Sequence, residues 1–252
     1  MTVTMRSQDH PVPAQPQIPL LLKASGTARQ TLADLLQRGQ RTYLAGTGIA
    51  HEGGNVPAFI WLQHGWVALS KSLADGQCQT IDIVLPGDAI LAASGDGWSS
   101  TYGIDAVTEV KLSVIDAASW QDMLTTSPDL SQYIARLTAA AEARRAERML
   151  RLGRGSASVR VAYLLLELCA RLCARNCHTE HAYHVPLTQH QIGDLTGLSS
   201  VHVCRILRRL AREGMIETSD HTNVVIHDRE ALSAVADLDF ARLLSEILPA
   251  EV

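Results

Sequence analysis

The chain has 252 residues, a formal net charge of −4 at pH 7, 46% hydrophobic and 19% charged residues. That is an ordinary soluble globular composition, long enough for one large domain or two small ones. No run approaches 18 apolar residues, so no membrane span is expected, and five cysteines without an export signal point to reduced thiols in the cytoplasm rather than a disulfide scaffold.

Residues 1–19 carry Pro11, Pro13, Pro16 and Pro19 among polar residues and have no compact apolar core, which reads as a flexible tail and not a signal peptide. Leu20–Leu36 has an apolar face and helix-forming residues. From Arg41 to Ala117 glycines punctuate short apolar or alternating runs at Ala58–Leu62, Trp66–Ser70, Thr80–Leu85, Gly103–Val107 and Val110–Ile115. Strands at this spacing imply an all-β sandwich or roll, here over residues 20–126.

Ser127, Pro128 and Asp129 then make a helix start, with Ser at the cap and Pro at the first helical position. Residues 127–153 are rich in Ala, Arg, Leu and Glu, which predicts a long rod. Leu130, Ile134, Leu137 and Ala141 follow the 4-3-4 spacing of a coiled-coil seam. Such a narrow stripe packs either on its own domain or on a partner helix, and a dimer is the favoured expectation. Gly153-Arg154-Gly155-Ser156 is expected to break the rod. Ala157–Arg175 is helical again with Val161, Leu164, Leu165 and Leu168 inward, Asn176–Tyr183 is a polar loop, and His184–Leu187 reads as a strand.

Charge is unevenly distributed. Between Arg136 and Arg212 lie thirteen arginines, no lysine and five acids, a local +8 that leaves −12 on the remainder. A basic part on an acidic chain is the electrostatic footprint expected for a polyanion, the alternative being solvated helix faces.

Within that basic part, Thr188 caps a short helix, Gln189–Leu195. Gly197 supplies the turn, and Ser199 caps a second helix reaching about Glu213. Val203, Ile206, Leu207 and Leu210 fall on the inner face of the second helix, and Gly214 stops it. Met215–Thr218 and Asn223–His227 form a hairpin wing. Capped helix, glycine turn, capped basic helix and wing together predict a winged helix-turn-helix over residues 156–228. In such a unit the N-terminal half of the second helix reads bases and its flanks hold phosphates. Ser200, Val201, Cys204 and Arg205 are the expected base readers, with Arg205 suited to guanine O6/N7 and Val201 to a thymine methyl. Thr188, His190, Ser199, His202, Arg208 and Arg209 are the expected phosphate contacts.

The stretch Leu187–Ile216, with its T-Q-H-Q-I-G-D-L-T-G-L-S-S-V-H-V-C-R-I-L-R-R-L order, resembles the Crp/Fnr superfamily of bacterial regulators. The likeness extends more loosely from Leu20 to Asp228. LPGD at Leu85–Asp88 and D-A-V-T-E-V at Asp105–Val110 match parts of the family's cyclic-nucleotide-binding-like β-roll. The resemblance implies an α+β chain with an N-terminal β-roll of jelly-roll type, a long dimerisation helix and a C-terminal winged helix-turn-helix. It implies a homodimer on palindromic double-stranded DNA, with RNA polymerase as a partner and no membrane. Arg205 keeps the family's most regular base reader. Val201 replaces a common acidic residue, and Cys204 stands at a Ser or Gly position, so the operator need not be the usual TTGA-type half-site. V-H-V-x-R resembles a subgroup from alphaproteobacteria.

The signal is less legible. A cyclic nucleotide needs an arginine for its phosphate and a carboxylate for its ribose. Ala89–Tyr102 holds neither Arg nor Glu, with Ala92 and Ser100 about where relatives carry them, so cAMP is not expected to bind. Residues 1–77 hold no cysteine, which removes the usual Fe–S arrangement of the family. Cys169, Cys173 and Cys177, spaced i, i+4, i+8 with His178 and His181 beyond, read as core or surface ahead of a metal or redox site. No metal is assigned. Cys204 is the better redox candidate, since oxidation would add bulk and charge beside DNA phosphates. No cofactor is called for; a haem or small ligand stays open, with ten histidines but no standout pair. Paired carboxylates, a nucleophile elbow and a P-loop are missing, so the reading is a regulator and not an enzyme. The alternative is a small-molecule or redox-sensing module with secondary DNA contact. Residues 229–252 form a helix-like extension that could pack on the roll, support the dimer or cover the recognition helix.

Overall fold

The computed structural model describes residues 26–91, 99–174, 182–219 and 223–249. Helix α1 (Gly26–Arg38) leads into eight strands: β1 (Gln40–Tyr43), β2 (Gly48–Ala50), β3 (Phe59–His64), β4 (Val67–Ser72), β5 (Cys78–Val84), β6 (Ala89–Leu91), β7 (Gly103–Ala106) and β8 (Val110–Ile115). They form two four-stranded sheets, ordered β1-β8-β3-β6 and β2-β7-β4-β5, with every pair antiparallel. The apolar runs mark five of these strands in the sequence. β1 is mostly exposed, and β2 and β6 are three residues each, too polar or too short to show a period.

The first sheet is buried on both faces around β3, which is why β3 reads as the unbroken apolar run Phe59-Ile-Trp-Leu62 rather than as an alternation. Ile60 and Leu62 point into the roll with Val67, Leu69, Ile104 and Leu112. Phe59 and Trp61 point outward into a second core with Leu32 and Leu36 of α1, and with Trp120 and Met123 of α2 (Ala117–Thr126). Phe59 stacks on Trp120 with ring centres 4.1 Å apart. Asp116 caps α2, accepting from Ser119 N at 2.9 Å.

Helix α3 (Pro128–Arg154) is the predicted rod, and it ends within the 153–156 stretch expected to break it. Its helical course passes through Gly153 and stops at Gly155, where a Cβ would stand 2.8 Å from Arg151 O. Ser127 occupies the cap position without a side-chain cap bond. The proposed seam is also largely used inside the protomer. Leu130 is 2% exposed and Ile134 8%, both in the α1–α2 core, Leu137 packs against the same core, and Ala141 is half-buried. A 4-3-4 stripe states that an apolar groove will be filled, and here the roll's own helices supply the groove.

Beyond Gly155 come α4 (Ala157–Cys173), β9 (Ala182–His184), α5 (Gln189–Thr196), α6 (Ser200–Arg212), β10 (Ile216–Ser219), β11 (Asn223–Ile226), α7 (Arg229–Val235) and α8 (Phe240–Ile247). Helix α4 is buried all round from Val161 to Leu172 and organises a third core. That core also takes Trp66, Ile83 and Leu85 from the roll, so the two halves share apolar contact. The expected strand at His184–Leu187 lies earlier, at Ala182–His184, on the edge of a β10-β11-β9 sheet. The C-terminal extension is two helices, capped by Asp228 and Asp239, and it packs chiefly on α3 and α4 rather than on the roll or on α6. Cys177, His178, His181, Ala92 and the wing tip at 220–222 lie outside the described residues.

Candidate nucleic-acid interface

Local chemistry builds α5 and α6. Thr188 and Gln191 make a reciprocal capping box: Gln191 N donates to Thr188 Oγ1 at 3.2 Å, and Thr188 N donates to Gln191 Oε1 at 2.9 Å. Gly197 ends α5 with φ +64, the left-handed conformation that glycine adopts without strain. Ser199 caps α6 by accepting from His202 N. A requirement missed by the sequence reading is Gly193, where a Cβ would lie 2.3 Å from Leu198 O. Only glycine lets the turn fold back on α5 so closely.

Val203, Ile206 and Leu210 are buried on the inner face of α6. The opposite face lines a concavity of about 740 Å³ with Ser200, Val201, Cys204, Arg205, Arg208 and Arg212, to which α5 adds Gln189. All four expected base readers are in it. Val201 is 68% exposed, an apolar side chain left in solvent where a thymine methyl would fit. Arg205, Arg208 and Arg212 stand at i, i+3 and i+7, and no carboxylate lines the groove among the described residues. Gln189 and Arg212 join the set on geometry; their sequence signal is their place at the head of α5 and on the outer stripe of α6.

The expected phosphate contacts divide. Thr188, Ser199, His202 and Arg208 are exposed. His190 is exposed but pairs with Asp194 at 2.9 Å. Arg209 turns back to the protein: its Nη2 donates to Ser158 Oγ at 2.6 Å, and Nε lies 3.7 Å from Glu213 Oε1. In the wing, Ile216 pairs with Ile226 and Ser219 with Asn223, and His184 Nδ1 meets Asn223 Oδ1 at 2.8 Å.

The basic balance of the C-terminal half has a second use. Arg144, Arg148, Arg151 and Arg171 are buried. Arg148 donates Nε to Glu167 Oε2 and Nη1 to Asp82 Oδ1, both at 2.7 Å. Arg171 donates Nη2 to Asp88 Oδ2 at 2.7 Å and to Ile83 O at 2.6 Å, and Nη1 to Glu167 Oε1 at 3.0 Å. Burial pushes the Asp82 carboxyl up, but Arg148 and Arg171, with Arg144 and Arg145 behind, reverse this and hold it below the usual carboxylate range. Burial and the like charge of Arg171 lower Arg144, whose Nη1 donates to Ile247 O at the end of α8. These arginines bind the roll, α3, α4 and α8 together. They lie away from the α6 groove, so the local +8 overstates the charge on that open face.

Among the cysteines, Cys169 and Cys173 have Sγ atoms 3.8 Å apart, and burial followed by Cys173 pushes the Cys169 thiol up to about 12. That is a core thiol with little thiolate character. Cys204 is half-buried in the α6 groove.

Comparison with known proteins agrees with this architecture. Residues 40–127 match the cyclic nucleotide-binding domain family and residues 159–235 the Crp-like helix-turn-helix domain family. The chain is 31% identical over 173 residues to the nitrogen fixation regulation protein FixK of Azorhizobium caulinodans, covering 67% of each chain. It is 25% identical over 209 residues to the transcriptional activator protein FnrL of Cereibacter sphaeroides, covering 82% of this chain and 79% of that one. The structure of FixK2 from Bradyrhizobium japonicum superposes with a TM-score of 0.70 at 25% identity, over 78% of this chain and 96% of the other. With a β-roll, a long helix and a winged helix-turn-helix whose open face is basic, the chain belongs to the Crp/Fnr family of DNA-binding transcription regulators.

Proposed function

We propose that two copies of this chain bind a palindromic operator through α6 and activate transcription by presenting RNA polymerase with a DNA-bound dimer, without catalysing a reaction. The observation that supports this most is the α6 groove, where three guanidiniums at helical spacing surround Ser200, Val201 and Cys204. Arg205 reads guanine, and Ser200, Val201 and Cys204 meet the neighbouring base edges. Thr188, Ser199, His202, Arg208 and Arg212 hold phosphates. Arg209 orients α6 through Ser158. Activation is inferred from the likeness to the transcriptional activator FnrL.

The dimer contact uses a different stripe of α3 from Leu130, Ile134 and Leu137. Ala135, Ala139, Glu142, Ala146, Met149 and Gly153 keep a 4-3 spacing and are exposed, Met149 by 72%. The controlling signal is not cAMP. Ser100 is buried, and its hydroxyl donates to Tyr102 O at 2.5 Å, so it supplies no carboxylate for a ribose. A redox signal acting through Cys204 is the second reading, favoured by the place of its thiol among the groove residues.

The test is an electrophoretic mobility titration on operator selected from random DNA. Arg205→Ala should weaken binding by about 1–3 kcal/mol and relax specificity at one base pair. Wild-type affinity in that variant, or no sequence preference in the native protein, would overturn the assignment. Calorimetric titration with cAMP should show no binding.

A further inference from the structure

A helix ends in carbonyl groups that have no donor within the helix. At the elbow between α3 and α4 one guanidinium serves two such ends. Arg160, on the first turn of α4, donates Nε to Gly155 O at the cap of α3, at 3.1 Å, and Nη1 to Thr196 O at the end of α5, at 3.3 Å. Neither carbonyl receives a backbone N–H among the described residues. A cation at a helix C-terminus also meets the negative end of the helix dipole, so charge and geometry favour both bonds.

Packing seats the turn at the same elbow. A Cβ on Gly197 would stand 3.4 Å from Arg160 Nη1 and 3.4 Å from Leu152 Cδ2, so the α5–α6 turn lies between the end of α3 and the start of α4. Arg209 of α6 donates to Ser158, two residues before Arg160. The connection from the long helix to α6 therefore runs through the fork of Arg160 and not only along the chain. A planar fork with two directed bonds fixes an angle, which the rotatable ammonium of a lysine does not.

We propose that Arg160 is a positioning residue that sets the angle between α3 and α6, and through it the half-site separation that the protein accepts. The inference rests on the dimeric reading above, in which α3 carries the pairing surface. Arg160 acts as the fulcrum of a lever. Helix α6 has thirteen residues, about 20 Å of length. A rotation of about 10° at the elbow carries the far end of α6 by about 3.5 Å, close to the rise of one base pair. In a two-fold dimer that displacement occurs at both half-sites, while each α6 still reads its own bases.

The test is an operator series with full-length protein. The selected half-sites are placed on spacers one or two base pairs shorter or longer than in the selected palindrome, with a single half-site as control. Mobility-shift titrations compare wild type, Arg160→Met and Arg160→Lys. Wild type should prefer one spacing. Arg160→Met should lose about tenfold of that preference, the worth of one hydrogen bond from a charged group, and keep its base preference and its affinity for the single half-site. Arg160→Lys, which keeps the charge without the fork, should fall between the two. If Arg160→Met weakens every spacing by one common factor, or keeps the wild-type preference, the proposal is overturned and the operator reading stands. If wild type itself has no spacing preference, the dimeric reading falls and this inference with it. Should Arg160→Met fail to fold, the Arg160→Lys series decides by the same criteria.

Discussion

At the scale of single residues, two caps, one left-handed glycine and one close backbone approach build the α5–α6 unit. Thr188, Ser199 and Gly197 act locally, through bonds or dihedrals within three residues of themselves, so their roles follow from order alone. Gly193 is needed because Leu198 O stands 2.3 Å from where its Cβ would be, a contact made only once the turn has folded back. Gly193→Ala should therefore cost about 1–3 kcal/mol in chemical denaturation and weaken operator binding with it, although alanine is the better helix former. Glu167→Gln removes a carboxylate that serves both Arg148 and Arg171. It should cost about 3–5 kcal/mol by the same measurement, because two buried guanidiniums lose their shared counter-charge. A loss below about 1 kcal/mol would show that the site relaxes around the change.

At the scale of elements, helix α3 was legible in length and start but not in the partner of each face. Its apolar stripe and its arginines have helical periods, and a period specifies a face without naming what covers it. Leu130 and Ile134 pack against the protomer's own Trp120 and Met123, whereas Met149 and Leu150 stay 72% and 55% exposed. Two substitutions separate these faces. Leu130→Ala should cost about 2–5 kcal/mol of stability and leave the sedimentation of the folded protein unchanged. Met149→Glu should leave monomer stability nearly intact and shift sedimentation towards monomer, since like charges would face each other across the pair. If both variants sediment as wild type, the exposed stripe is not the dimer contact. The strands show the same limit: β3 was readable from its apolar run, while β1 and β2 are held by pairing to β8 and β7, which lie some seventy or fifty-five residues on.

At the scale of the whole molecule, the roll and the DNA-binding half are joined by a buried charge cluster that spans β5, the Leu85–Asp88 turn, α3 and α4. Its carboxylates set an acid limit. Because Asp82 titrates lower folded than unfolded, its stabilisation is complete above the unfolded value of about 4 and is lost as pH falls through the folded one. Thermal melts should then show Tm falling steeply below about pH 4, and Asp82→Asn should flatten that fall while lowering Tm at neutral pH. A neutral-pH Tm equal to wild type in Asp82→Asn would place the cluster's stabilisation elsewhere. By itself the sequence determined the helix-turn-helix, the basic stripe of α6, the rod and the β character of the first half, because each rests on local periodicity, caps and turns. Only the tertiary structure decided which arginines line the open groove of α6 and which pair with Asp82, Asp88 and Glu167, which stripe of α3 stays open, and where α7 and α8 dock. Those outcomes depend on contacts between residues up to about a hundred positions apart, such as Arg144 with Ile247, and burial of that kind leaves no period in the chain.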